Sequence, residues 1–323
     1  MKHHDRRDFL KKAASASAAA AAFGVWGYLY HDPDNPVRTK AEKIYTINSF
    51  LIEKSNVLPD VVVVHGGDPA KNVRAAIERL GGISRFIKPG ERVTVKPNAG
   101  WDRMPEQAAN TNPLVIGEIA RLCREAKAGG VVVTDVSTND PQRSFTRSGI
   151  LDAAQRAGAK VVFPRESNFL PCDLKGEMLT VWPVFRQFVK TDRLINAPVV
   201  KHHSLCKATL AMKNWYGVLG GRRNRLHQEI HTSIADLASA FKPTLTVMDA
   251  SRILMRGGPT GGNLDDVKIT NMIIAGTDEV AIDAFSATLL GYERDEIEYI
   301  RMGQQRGLGN YDPSMIRMEE ITI

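Results

Sequence analysis

From residue 60 onward the chain alternates short, continuously apolar runs with longer segments of helical period. Val61 to Val64, between Asp60 and His65, is an unbroken β-branched run, the pattern of a strand covered on both faces. Asp68-Pro69 opens a helix with proline at its first position, and Gly81-Gly82 stops it after about Leu80. The same alternation predicts a strand over 91–96, a helix from Asn112-Pro113 to Lys127 and a strand over 131–135. A helix over 148–157, ended by Gly158, and a strand over 160–163 complete this part. Residues 164–190 read as an irregular insertion with a short hairpin. The order then repeats, with a strand over 194–200, helices over about 205–218 and 226–241, and a strand over 244–249. A glycine-rich loop over 256–262, a strand over 271–275, helices over 278–290 and 293–305, and an edge strand within 315–323 close the chain. Apolar strands alternating with helices predict an α/β fold: a mostly parallel sheet with helices on both faces, built as one sheet or as two similar α/β halves.

The formal charge is +7, but residues 1–30 hold five lysines and arginines and two aspartates, so +3 belongs there and +4 to the rest. That remainder, with no basic run interleaved with aromatics, gives no footprint for nucleic acid. Three cysteines, Cys123, Cys172 and Cys206, are an odd number without CxxC spacing. They offer neither an iron–sulfur motif nor a disulfide framework.

The front of the chain reads as an address. Asp5-Arg6-Arg7-Asp8-Phe9-Leu10-Lys11-Lys12 precedes an alanine- and serine-rich run, and the order resembles a twin-arginine export signal. Residues 1–30 are therefore expected to be that signal, recognised by the twin-arginine export machinery. The apolar stretch from Ala13 to Tyr30 is about long enough to span a bilayer, so a cleaved signal and an uncleaved anchor both stand. The protein is expected in the periplasm, or anchored facing it, with membrane contact only through this segment. Residues 31–58 are read as a linker, and 59–323 as the α/β domain. The twin-arginine route carries folded proteins, often with a cofactor inserted, so the resemblance also implies a metal or organic cofactor.

Candidate chemistry gathers at the predicted strand ends, which in a parallel sheet lie along one edge. Lys96 and Asn98 follow one strand, Asp135 ends another, Lys201 and His202 end a third, and Asp249 ends a fourth. Lysine is a poor helix cap and is costly to bury unpaired, so the repeated lysines point to anion binding or proton transfer. Lys213-Asn214 lies on an apolar helix pattern and would join them. Lys96, Asn98, Lys201, Lys213 and Asn214 are thus the candidate catalytic residues. Arg222 and Arg223, after Gly220-Gly221, could clamp a carboxylate or phosphate, and Asp135 is a further candidate for substrate binding. His227 and His231 stand at i and i+4, a metal-ligand spacing on one helix face. With His202, His203 and Asp249 they would make a nitrogen and oxygen site for Zn, Fe, Ni or Mn, or for a metallo-cofactor, with His202, His227, His231 and Asp249 as its candidate ligands.

Val95-Lys96-Pro97-Asn98, Lys201-His202, the run from Lys213 to Gly217, the paired histidines after it, GGPTGG over 257–262 and GTDEVAID over 276–283 together resemble the DUF362 family, over roughly residues 60–310. Many members carry a ferredoxin-like cluster module, for which this chain lacks the cysteines. The reading from sequence is an exported enzyme that uses a bound metal or metallo-cofactor on a small anionic molecule. Its alternative is a periplasmic binding protein that captures such a ligand without chemistry.

Overall fold

The structure, a computed structural model, describes residues 43–323, of which Ile44–Ile323 form one compact unit. In chain order the strands are β1 (Tyr45–Thr46), β2 (Val61–His65), β3 (Arg92–Pro97), β4 (Gly130–Val133), β5 (Lys160–Val161), β6 (Phe169–Asp173), β7 (Val181–Phe185), β8 (Arg193–Ala197), β9 (Val199–His203), β10 (Lys207–Thr209), β11 (Leu245–Leu254), β12 (Val267–Gly276) and β13 (Met318–Thr322). Ten of them form the main sheet, in the order β13-β2-β12-β11-β8-β3-β4-β5, with β9 continuing beside β11 and β10 beside β9. Pairing is parallel except where β12 meets β2 and β11, and where β10 meets β9. A second sheet, β1-β6-β7, contains the hairpin expected within 164–190.

Both faces of the main sheet are covered, as the unbroken apolar runs require. Val61 and Val63 of β2 enter one core and Val62 and Val64 the other, which is the two-residue period of a strand expressed on two buried faces. One core holds the helices Pro69–Arg79 and Pro113–Glu125 through Val73, Ile77, Ile116 and Ile119. The other holds Ile230–Ala240, Glu279–Leu289 and Glu298–Gln305 through Ile234, Leu237, Ala284 and Ile300. The predicted starts are in place: the side chain of Asp68 accepts from Ala70 N, that of Asn112 from Leu114 N and that of Asp278 from Ala281 N.

Several stretches differ from the sequence reading. The strand expected over 194–200 is divided at Pro198, whose carbonyl instead accepts from Asp249 N, into β8 and β9. The helix expected over 205–218 begins only at Ala211, because Lys207–Thr209 turns back as β10 against β9. The helix expected over 226–241 is a short 3-10 turn, Arg223–His227, followed by Ile230–Ala240, so His227 and His231 lie on separate elements. The ten-stranded main sheet is also continuous rather than divided into two similar halves. The twin-arginine segment lies outside the described residues. Among the described residues no helix is long and apolar enough to cross a membrane.

The compact unit starts before the expected boundary at 59. Tyr45 and Thr46 pair with Cys172 and Asp173, and Phe50 is buried in the core while its N–H donates to Lys242 O at 3.0 Å. Phe50→Ala is therefore expected to destabilise the fold by about 3 kcal/mol, the usual scale for emptying a buried phenylalanine site. Chemical denaturation checks this; an unchanged midpoint would return residues 44–58 to the role of a linker.

Candidate functional site

The carboxyl ends of β3, β4 and β9 converge on a cavity of about 270 Å³. Its lining includes Lys96, Asn98, Asp135, Lys201, Lys213, Asn214, Arg223 and His227 from the sequence reading. Lys96, Lys201 and Lys213 are all buried, at 0, 1 and 6 % exposure, and Asp135 is the one carboxylate among the lining residues. Taking an ammonium group out of water disfavours its charge, so each amine should titrate below the ordinary lysine range.

The three lysines are held in different ways. Lys96 Nζ donates to Asp135 Oδ1 at 2.8 Å, Pro97 O at 2.9 Å and Asn214 Oδ1 at 3.2 Å. All three of its donors are occupied, so it acts as a fixed charge; burial lowers its pKa, against the raising effect of Asp135. Asp135 is pinned in turn, its Oδ2 accepting from Ala99 N at 2.8 Å. Lys201 Nζ donates to Asn98 Oδ1 at 3.0 Å and Ala109 O at 2.5 Å, and lies 6.0 Å from the Trp101 ring centre. Burial, with the nearby charges of Lys213 and Lys96, outweighs Asp135 and lowers Lys201 to about 7. Lys213 Nζ sits 4.2 Å from the Tyr216 ring centre and makes no hydrogen bond among the described residues. Burial lowers its pKa too.

Asparagines and a distant carboxylate tie these amines to the sheet. Asn98 Nδ2 donates to Asn214 Oδ1 at 3.0 Å, Asn214 Nδ2 to Asn196 Oδ1 at 2.7 Å, and Asn196 Nδ2 to Glu279 Oε1 at 2.5 Å. Trp215 Nε1 and Thr246 Oγ1 also donate to Glu279, whose burial nonetheless raises it to about 7. Asp283 accepts from Ala211 N at 2.7 Å and Met212 N at 3.0 Å, capping the helix Ala211–Asn214 that carries Lys213 and Asn214. Gly217 is required by close approach: a Cβ there would stand 2.0 Å from Asp135 Oδ1 and 2.6 Å from Lys96 Nζ. Gly258 is required in the same way, since its Cβ would meet the His202 carbonyl oxygen; the neighbouring Pro259 lines the cavity.

Arg223 donates to the carbonyls of Val136 at 2.6 Å, Ser137 at 2.8 Å and Tyr216 at 3.2 Å, which fixes its charge at the cavity wall. Burial lowers its pKa against the pull of Asp135. Arg222 is exposed and does not line the cavity.

The four residues expected to hold a metal do not come together. Alternation along β9 places Lys201 and His203 at the cavity, whereas His202 does not line it. His231 stacks 6.1 Å from Tyr299 and lies 3.7 Å from Glu298. Asp249 accepts from Asn112 N at 2.7 Å and from Ser251 N and Oγ at 2.9 and 2.6 Å, which makes it a structural cap behind the site. Only His227 of the four reaches the cavity, and among the described residues no group of three or more His, Cys, Asp or Glu could hold a metal ion. The lining does not suit a bare cation either, since its two imidazoles stand among three lysines and an arginine, and its carboxylate is bonded to Lys96.

Trp101, Thr209 and Tyr216 line the cavity without having been singled out from sequence, and His203, read there beside His202, lines it in place of His202. His203 and His227 stack at 6.5 Å with 15° between their rings. His203 Nδ1 accepts from Leu205 N, which leaves the proton on Nε2, and burial beside Lys213 lowers this imidazole to about 2. His227 Nδ1 faces Asn224 O at 3.1 Å, the opposite tautomer; burial and Lys213 lower it as well. Thr209 Oγ1 is buried without a hydrogen-bond partner among the described residues.

Lys201 links the site to stability. Its folded pKa of about 7 lies below the ordinary 10.5, so between those values the unfolded chain binds more protons and stability rises with pH; below 7 the full penalty of the buried charge applies. That depression corresponds to roughly 4–5 kcal/mol. Removing the amine also leaves Asn98 Oδ1 and Ala109 O short of a donor, about 1–3 kcal/mol. Lys201→Met is expected to stabilise the protein at pH 6 by roughly 2 kcal/mol net, with the gain disappearing toward pH 10. Denaturation midpoints at the two pH values check this; an equal effect at both would contradict the depressed pKa.

A thylakoid-associated protein of Synechocystis sp. is 23 % identical over 250 residues, covering 75 % of this chain and 76 % of that protein. Among solved structures, the lactate racemase apoprotein of Thermoanaerobacterium thermosaccharolyticum aligns at 13 % identity and a TM-score of 0.38, over 74 % of this chain and 59 % of that one. A Thermotoga maritima protein aligns at 13 % identity and 0.33, over 57 % of this chain and 51 % of its own. The family described as Domain of unknown function (DUF362) matches residues 93–288, a stretch that contains every cavity-lining residue, and the chain belongs to that family.

Proposed function

We propose that the protein is an enzyme that binds a small anionic molecule, a carboxylate or phosphate, in the 270 Å³ cavity and exchanges a proton with it through Lys201. The observation that carries this reading is the set of three buried lysines around one cavity with a single, already paired carboxylate. Such a wall favours an anion, because each charge of the ligand relieves repulsion among fixed cations. Lys213, without a hydrogen-bond partner among the described residues, and Arg223 would hold the ligand's charge. Lys201, near neutrality, has both protonation states available at working pH, as a general acid or base requires. In the basic direction the neutral amine takes a proton from the bound molecule and becomes ammonium; in the reverse direction it returns that proton. No step passes through a metal, for which the lining residues are unsuited.

The Arg6-Arg7 segment supports the further proposal that the protein is exported by the twin-arginine route and acts in the periplasm, free or anchored. Replacing Arg6-Arg7 by Lys-Lys should retain the protein in the cytoplasm on cell fractionation; unchanged export would remove this proposal.

The test of the chemistry is solvent exchange. Small 2-hydroxy and 2-oxo carboxylates and their phosphorylated counterparts are incubated with the protein in D₂O, and deuterium uptake is followed by NMR. The wild type is expected to label one class, with a rate at subsaturating ligand that rises with pH through about 7, the value for the free protein. Lys201→Met should abolish labelling while leaving affinity within a few-fold, and Lys213→Met should weaken binding by about 10–100-fold, the scale of a lost charged contact. Binding by the wild type without labelling of any compound would instead identify a capture protein that performs no chemistry.

A further inference from the structure

The amides between Lys201 and Glu279 all point one way. Lys201 donates to the oxygen of Asn98, the Asn98 amide nitrogen to the oxygen of Asn214, the Asn214 nitrogen to the oxygen of Asn196, and the Asn196 nitrogen to the carboxylate. An amide has an acceptor at one end and donors at the other, so turning one over would force its neighbours to turn or lose their bonds. The direction is imposed at the far end, because all three side-chain partners of Glu279, Asn196, Trp215 and Thr246, donate to its carboxyl oxygens. Two contacts along the way agree: Asn196 Nδ2 donates to Ala211 O at 3.0 Å, and Lys96 donates to Asn214 Oδ1.

The consequence appears at the amine. Asn98 Oδ1 and Ala109 O both accept, so they hold two N–H groups of Lys201 whether it is charged or neutral. Its third position, a proton in one state and a lone pair in the other, is left over. A reversed Asn98 would aim an NH₂ group at the amine, where it would occupy the lone pair or repel the ammonium.

We propose that Glu279 is a positioning residue for Lys201: acting through Asn196, Asn214 and Asn98, it turns an amide oxygen toward the amine and leaves the amine's third position for the ligand in the cavity. This rests on the proton-exchange reading of Lys201 and extends it to a carboxylate that does not line that cavity. The other charged groups bearing on Lys201 are Lys213, Lys96 and Asp135, and none is altered in the test that follows.

The experiment is a titration of the full-length protein labelled with ¹³C at lysine Cε, read by NMR, with Lys201 and Lys213 assigned through Lys201→Arg and Lys213→Arg. Glu279→Gln removes an acceptor that carries its charge from about pH 7 upward, and the weaker polarisation of Asn98 should lower the Lys201 midpoint by about half a pH unit. Asn196→Ala, which cuts the chain two amides away from the amine, should lower it in the same direction, and either variant answers alone if the other does not fold. Lys213, which has no bond to the chain, should keep its midpoint in both. An unmoved Lys201, or equal movement of Lys201 and Lys213, would overturn the proposal. The titration involves no substrate, so a protein that labels nothing in D₂O can still show the coupling, and one without the coupling can still exchange protons.

Discussion

The site depends on keeping three lysine side chains inside the protein beside a single carboxylate. Burial alone opposes each charge, and the charges oppose one another, so the fold must supply acceptors by other means. It uses neutral ones. Asp135 serves Lys96 alone; the remaining contacts of Lys96 and Lys201 are carbonyl oxygens from Pro97, Ala109, Asn98 and Asn214. A carboxylate at each of these places would satisfy the amines more strongly and cancel the positive field of the cavity. Asparagine oxygens hold the amines in position and leave that field in place.

The sheet order makes this arrangement possible. β3 lies between β8 and β4, and Lys96 pairs in register with Asn196 across β3 and β8. Asp135 follows β4 on the other side of β3, and Lys201 stands on β9, one proline beyond β8. Groups more than a hundred residues apart, Lys96 and Lys201 among them, therefore share one rim. The helix Glu279–Leu289 crosses behind it and contributes two buried carboxylates with separate tasks. Glu279 ends the asparagine chain, and Asp283 caps the short helix that presents Lys213 and Asn214. Both titrate above the ordinary carboxylate range because of burial.

Much of this was legible in the sequence because strand ends are easy to recognise: a β-branched run followed by Lys96, Asp135 or Lys201 fixes both the element and the edge at which the side chain emerges. The residues misplaced from sequence share a different cause. His202 was chosen over His203 although the two-residue period already couples His203 to Lys201; the alternation was available and the pair was read as a unit. His227 and His231 were paired on the assumption of a continuous helix, and the apolar run through this region does not reveal the break between the 3-10 turn and the helix. Asp249 occupies a strand interior because β11 runs on to Leu254, past the point where its apolar pattern weakens, supported by β12 rather than by its own sequence. Glu279 and Asn196 carry no local signal, since their role comes from partners 83 residues apart that only the folded sheet brings together.

The shortage of compensating negative charge has a thermodynamic consequence for any ligand. An anion entering the cavity stabilises the ammonium forms of Lys201 and Lys213 and raises their pKa values from the depressed positions set by burial. With Lys201 near 7 in the free protein, binding near or above neutrality must therefore take up protons. The neutral amine that would act as a base is thus most abundant before the ligand arrives, and the ligand's own charge tends to remove it. A base at this position stays effective only if the anionic group is held away from it, on the Lys213 and Arg223 wall, with the exchanging atom toward Lys201. Separate anchoring of the two amines, one over an aromatic ring and one on two fixed oxygens, is the division of labour that this requires.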